Sequence, residues 1–340
     1  MAMRVRKSRS DLYVGGRFTL VDGHVSTGIA WLWPVPQGQS MLEPQAWHAM
    51  GKALLVRQPG LPGLNDIYMQ GFVHVLLPMT GGNMLVGGSF NGARDPGAHG
   101  DGAWVRQRNL GIWRPASGGW QNAGVDAVPA HGNFSQTVRV SALAIYEDRL
   151  WVGGKFSRIG DASGQPHRTI SAHGLGTYAR ALEQPGQSPW ADPLPHLSAD
   201  VRALLPAHGD LYAGGYFLPD GGDGRALLRW HEGMVQGLEH PLFIEPVEQA
   251  GGAPSRVLAL ASSGRYLCMG GTFSRTTSGE QVGNLDCRDL LDGEDLFPGR
   301  GVNDTGSAAV SANWPTASPR RTWRSWISTA FNASLTRAWG

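Results

Sequence analysis

Cysteine is almost missing from this chain, with Cys268 and Cys287 the two examples in 340 residues. Two cysteines build neither the disulfide framework of a small secreted module nor a four-ligand zinc site. No apolar run reaches about 18 residues, so no spanning helix is expected, and no apolar core follows Met1-Ala2-Met3-Arg4-Val5-Arg6-Lys7, so no signal peptide is expected in the chain as given. Neither sign of charge dominates: the net charge of +2 gives nucleic acid no overall field to answer. The eleven histidines are scattered, and neither His-Glu-x-x-His nor Gly-x-Ser-x-Gly occurs. Asp220-Gly221-Gly222-Asp223-Gly224 and the stretch from Asp95 to Gly102 have a calcium-loop composition but not its alternating ligand spacing, so no cofactor is expected, with calcium as the alternative their composition leaves open.

What the chain has instead is glycine, tryptophan and a repeat. Forty-nine glycines and 22 prolines accompany 13 tryptophans and regular apolar strands, the composition of a turn-rich folded protein. Leu12-Tyr13-Val14-Gly15-Gly16-Arg17-Phe18 recurs as Leu85-Val86-Gly87-Gly88-Ser89-Phe90, Leu150-Trp151-Val152-Gly153-Gly154-Lys155-Phe156, Leu211-Tyr212-Ala213-Gly214-Gly215-Tyr216-Phe217 and Leu267-Cys268-Met269-Gly270-Gly271-Thr272-Phe273. The second glycines are separated by 72, 66, 61 and 56 residues, above helical solenoid periods and in the range of propeller blades. Four copies follow an apolar strand and a short polar turn, such as Glu147-Asp148 or His208-Gly209-Asp210, so the unit reads as a β-hairpin. A glycine pair inside a strand weakens it, and five copies call for a steric reason: close approach of a neighbouring sheet or of the repeat phenylalanine ring.

This signature resembles the bacterial and fungal β-propeller repeats built on Leu-Tyr-Val-Gly-Gly-x-Phe, relatives of the kelch propellers with their diglycine strand. The resemblance covers roughly residues 11–312. Trp31, Trp104 and Trp230 stand near the kelch aromatic positions, the third copy offers Tyr178, and the fifth has no aromatic there. It implies an all-β propeller of five blades, mostly a binding fold, and leans towards a secreted or cell-surface setting. Residues 306–312 are expected to pair beside 11–18, closing the ring with strands from both ends. A six-blade alternative takes Ser328-Thr329-Ala330-Phe331, one period after Phe273, as the last copy.

Residues 1–10 read as a basic lead, 11–312 as the propeller and 313–340 as an amphipathic helical segment. From Ser318-Pro319 the apolar residues Trp323, Trp326, Ile327, Ala330, Phe331, Leu335, Ala338 and Trp339 fall on one stripe, opposite Arg324, Ser328, Asn332 and Arg337. Such a face suits the propeller rim, a partner protein or an interfacial membrane. Cys268 aligns with Tyr13, Leu85, Trp151 and Tyr212, the place of a buried core thiol. A bridge to Cys287 in the next expected strand is the alternative.

After each repeat phenylalanine comes an acid: Asp22, Asp95, Asp161, Asp220 and Glu280. On one propeller face these five would form a ring for a cation, a sugar or a basic peptide. Asp beside Gly also favours tight turns on its own account. The favoured function is a non-catalytic binding or assembly protein, docking a protein partner through its loop face and through Trp323, Trp326, Phe331, Trp339 and Arg324. The alternative is a carbohydrate-binding module or glycoside hydrolase using the loop carboxylates.

Overall fold

The computed structural model describes residues 2–6, 11–32, 47–49, 53–58, 67–79, 82–94, 104–114, 119–122, 126–128, 138–161, 168–179, 189–220, 224–232, 234–236, 255–273 and 284–290. These residues are built of antiparallel sheets, with no α-helix among them. No helix among them is long and apolar enough to cross a membrane. The chain divides into two compact units, Met1–Pro195 and His196–Gly340. The helical reading of 313–340, including the alternative sixth copy, and the closing strand at 306–312 lie outside the described residues.

Every diglycine copy lies on the second strand of a sheet. In the first unit the sheets run Ala2–Arg6, Asp11–Gly15, Ile29–Leu32, Trp47–Ala49; then Phe72–Pro78, Met84–Ser89, Leu110–Arg114, Gly119–Asn122; then Arg139–Tyr146, Arg149–Lys155, Leu175–Tyr178, Trp190–Ala191. The second unit holds Leu197–Ala207, Asp210–Pro219, Arg225–His231, Met234–Gln236, and a three-stranded sheet of Arg256–Ser263, Tyr266–Thr272, Leu285–Asp289. Further sheets lie in the first unit; one is four-stranded, in the order Trp104–Arg106, Gly92–Arg94, Ala53–Gln58, Ile67–Gln70. The hairpin turns are tight. Glu147 and Asp148 take φ of 49° and 54°, and His208-Gly209 takes 56° and 82°, the left-handed pair that matches strand twist.

Two expectations need correcting here. The place beside Asp11–Gly15 assigned to residues 306–312 is taken by Ala2–Arg6, with Ala2 opposite Gly15 and Arg6 opposite Asp11; Ile29–Leu32 fills the other side. The basic lead is thus a strand of the first sheet. Cys268, read as a free core thiol, is instead bonded to Cys287, because the third strand's register puts the two directly opposite each other.

The glycine pair has a two-part steric explanation. In the copies of Gly15, Gly87 and Gly214 the first glycine lies under the next sheet. A Cβ on Gly87 would stand 2.6 Å from Val140 Cγ1, one on Gly214 would stand 2.6 Å from Val257 Cγ1 and 3.4 Å from Leu260 Cδ1, and one on Gly15 would run into Val73. The second glycine lies on its own partner strand: a Cβ on Gly88, Gly154, Gly215 or Gly271 would strike the carbonyl oxygen of Phe72, Arg139, Asp200 or Arg256. Beside Gly88 the Phe90 ring also closes to 2.8 Å.

Those carbonyls press inward because a bulge sits opposite the glycines in four sheets. Gly87 and Gly88 face Val75 and Val73, leaving His74 over; Ser141, Arg202 and Leu258 are left over in the same way. The extra residue shifts the strand's phase. Val73 and Leu76, three apart, would otherwise point to opposite faces, yet both lie against Gly15, as Val257 and Leu260 both lie against Gly214. This is the origin of the pattern Val-x-Val/Ala-Leu at 73–76, 140–143, 201–204 and 257–260.

A third lock begins the third strand. Gly28, Asn109, Gly174 and Asn284 all have positive φ, between 66° and 93°, and their carbonyls accept from the N–H of Gly16, Gly88, Gly154 and Gly271 at 2.9–3.0 Å. Asn109 adds its side chain, accepting from Phe90 N at 3.1 Å and donating to Ala127 O at 2.7 Å. The repeat phenylalanines Phe90, Phe217 and Phe273 are thereby fully buried. Phe90 joins a core with Leu76, Met84, Val86 and Trp113 in the first unit, and Phe273 one with Tyr212, Leu227, Val257 and Met269 in the second.

Candidate functional site

The bulges and diglycines meet at one end of each sheet, and the residues flanking them are the variable ones. The position after the second glycine holds Arg17, Ser89, Lys155, Tyr216 and Thr272; the bulge holds His74, Ser141, Arg202 and Leu258. The residue two before the bulge completes the set: Phe72, Arg139, Asp200 and Arg256. The backbone here is fixed by its neighbours, so these side chains can change without moving the seam.

In the first unit this end is basic and polar. Arg17 places its guanidinium carbon 4.9 Å above the Phe72 ring, and the His74 ring stacks near the same phenyl with centroids 6.4 Å apart. His74 Nε2 and Ser89 Oγ share a hydrogen bond of 3.1 Å. Lys155 stands directly opposite Arg139 across the strand pair. In the second unit the equivalent positions neutralise one another. Arg202 donates to Asp200 at 3.1 Å, and Arg256, on the following sheet, brings Nη1 to 3.7 Å of the same carboxylate. Tyr216 is the residue opposite Asp200.

Two further constellations are ties within the fold. Asp210, 2% exposed, starts the diglycine strand of the second unit's first sheet. Arg229 Nε donates to its Oδ2 at 2.6 Å, Tyr212 Oη donates to Oδ2 at 3.3 Å, and His231 Nδ1 lies 2.5 Å from Oδ1. The carboxylate therefore fastens the hairpin turn to the third strand. In the first unit, His173 Nδ1 lies 2.7 Å from Asp192 Oδ2 while Asp192 Oδ1 accepts from Leu194 N, which fixes the entry to the next segment.

Tyr212 makes the first tie sensitive to alkali. Burial pushes its phenol from 10 up to about 12, with Asp210 reinforcing the shift and Arg229 opposing it. The neutral phenol is the form the fold holds, so its contribution is complete below pH 10 and is lost as pH climbs from 10 towards 12. Two units correspond to about 2–3 kcal/mol. In urea unfolding between pH 9 and 12, wild type should lose that much more stability than Tyr212→Phe, whose ring cannot ionise; parallel curves would refute the assignment.

The loop acids occupy unlike settings. Asp22, with φ of 49°, and Gly23, with 76°, make the two-residue turn between Leu20–Val21 and His24–Val25, the turn role itself. Asp161 ends Arg158–Asp161 and pairs with Arg168 in a three-stranded sheet. Asp220 is exposed after Asp210–Pro219, its N–H donating to His196 O at 3.1 Å. Asp95, Glu280, Trp323, Arg324, Trp326, Phe331 and Trp339 lie outside the described residues. Sequence reasoning passed over the bulge row, although the Val-x-Val/Ala-Leu pattern marks its position in every complete copy.

No protein-family model matches this chain, and no curated protein matches it. Among solved structures it is similar to the extracellular domain of a hybrid two-component system from B. thetaiotaomicron, at 12% identity and a TM-score of 0.34, over 82% of this chain and 33% of that one. It is also similar to the computationally designed Ika8 protein, at 16% identity and a TM-score of 0.31, over 87% of this chain and 85% of the other.

Proposed function

We propose that this chain is a non-catalytic binding scaffold, a kelch-like β-propeller of five blades that docks a protein partner. The observation that carries this reading is one seam found in both units: the first glycine of a sheet lies beneath the Val-x-x-Leu face of the next, at Gly15, Gly87 and Gly214. Sheets joined face to face by an identical seam are the building principle of a propeller. Such a frame holds the sheet ends rigid and leaves Arg17, Lys155, Tyr216 and Thr272 to specify a ligand. In the C-terminal segment, Trp323, Trp326, Phe331, Trp339 and Arg324 are the residue types that dominate interface energetics. The Cys268–Cys287 bond suits an oxidising compartment, in keeping with a secreted or cell-surface setting.

The test uses the full chain with Trp323→Ala, Trp326→Ala and Trp339→Ala combined, beside wild type, in affinity capture from the native source with masses read by light scattering. The expected result is a partner or assembly held by wild type and lost, by tenfold or more, from the triple variant with an unchanged melting temperature. Identical monomers with identical catches would overturn the docking role of this segment.

A further inference from the structure

At the bulge end of the first unit, successive sheets present Arg17; then Phe72, His74 and Ser89; then Arg139, Ser141 and Lys155. Arg17, His74 and Lys155 are exposed or nearly so, and no member of the row is acidic. The second unit shows what the same positions do when an acid is present: Asp200 occupies the place of Phe72 and holds both Arg202 and Arg256. Lys155 and Arg139 face each other directly across the strand pair.

We propose that this row binds an extended acidic segment of a partner protein, an assignment that rests on the binding function above and names the chemistry of its ligand. Packed sheets stand about 10 Å apart, so Arg17 and the Arg139/Lys155 pair, two sheets on, are separated by roughly 20 Å, the span of about six extended residues. Cations stand at the two ends of that span, while the middle sheet offers an aromatic ring and an imidazole. A segment with acidic ends and an apolar or polar centre matches this order. A polymer charged on every unit would set its central charges against Phe72.

The probe is a fluorescein-labelled octapeptide with two glutamates at each end and an apolar centre, followed by fluorescence anisotropy on the full chain at low ionic strength. Binding should weaken at least tenfold when the glutamates are replaced by glutamines, and about tenfold in the double variant Arg17→Gln, Lys155→Gln. It should also fall steeply as salt shortens the reach of the charges. Both side chains project from the surface, so the double variant should melt with wild type. As a second variant, Arg17→Glu with Lys155→Glu should reverse the preference towards an arginine-ended peptide.

Equal binding of the glutamate and glutamine peptides, or an unaffected double variant, would overturn the proposal. Displacement of the peptide by polygalacturonate at lower concentration than by any acidic peptide would assign the row to an acidic polysaccharide and overturn it too. If the peptides fail while partner capture persists unchanged in Arg17→Gln, Lys155→Gln, the acidic-segment assignment falls and the binding function stands.

Discussion

Gly215→Ala is expected to abolish folding, or to cost about 4 kcal/mol if the protein still folds, whereas Gly214→Ala, one residue away, should cost about half as much. The added methyl at 215 meets the carbonyl of Asp200 and the Cα of Val201, which are backbone atoms locked by the strand pairing. They cannot withdraw without breaking the bulge. The methyl at 214 meets instead a side chain, Val257 Cγ1 at 2.6 Å, which can be cut back. Val257→Ala should therefore absorb the damage of Gly214→Ala. The double variant should recover most of that cost relative to Val257→Ala alone, a coupling of about 1–2 kcal/mol, the Val257 Cβ at 3.1 Å keeping the rescue short of complete. The same second substitution should do nothing for Gly215→Ala. Urea midpoints for the three single and two double variants decide the matter, and equal costs at the two glycines would show that the asymmetry between seam and bulge is wrong.

Asp210→Ala is the second large loss expected, about 3 kcal/mol. Its carboxylate is 2% exposed and receives Arg229, Tyr212 and His231 together. Removing it leaves a guanidinium and a phenol at the rim of the core facing a cavity, and the cost is dominated by the polar groups left behind. Asp210→Asn should cost less, because the amide oxygen still accepts from Arg229. Replacing Arg229 by Met in the Asp210→Ala background should restore part of the stability by taking away one abandoned donor. If Asp210→Ala melts with wild type, the network is an ornament of the surface and the hairpin turn is held by its backbone alone.

The hairpins were legible because each copy carries its own short-range signals: alternating apolar residues, a two-residue polar turn and the glycine pair. Close approach at the glycines could also be inferred, since no local property of a strand rewards two of them. The further sheets of the first unit were not legible, because Gly92–Arg94 reads as loop until Ala53–Gln58 arrives from forty residues upstream to pair with it. The disulfide was hidden for a related reason. Whether Cys268 meets Cys287 depends on the register of the third strand, which the left-handed Asn284 sets and hydropathy does not report. The fourth strands Trp47–Ala49 and Gly119–Asn122 were not legible either, being too short for periodicity to distinguish from turns. The bulge row was missed because alternation fails just where the functional candidates lie, so the pattern there looks irregular.

That failure of alternation has a consequence for how the chain tolerates change. At His74, Ser141, Arg202 and Leu258 almost any side chain fits, as the four already show, but the count of residues does not bend: losing one would turn the outer half of its strand inside out, so that Leu76 or Leu260 would leave the neighbouring glycine and the adjacent residue would take its place. Over generations such a site should accept substitutions freely and reject insertions and deletions, the reverse of an ordinary surface loop. Its chemistry is open to selection while its length is held by the fold.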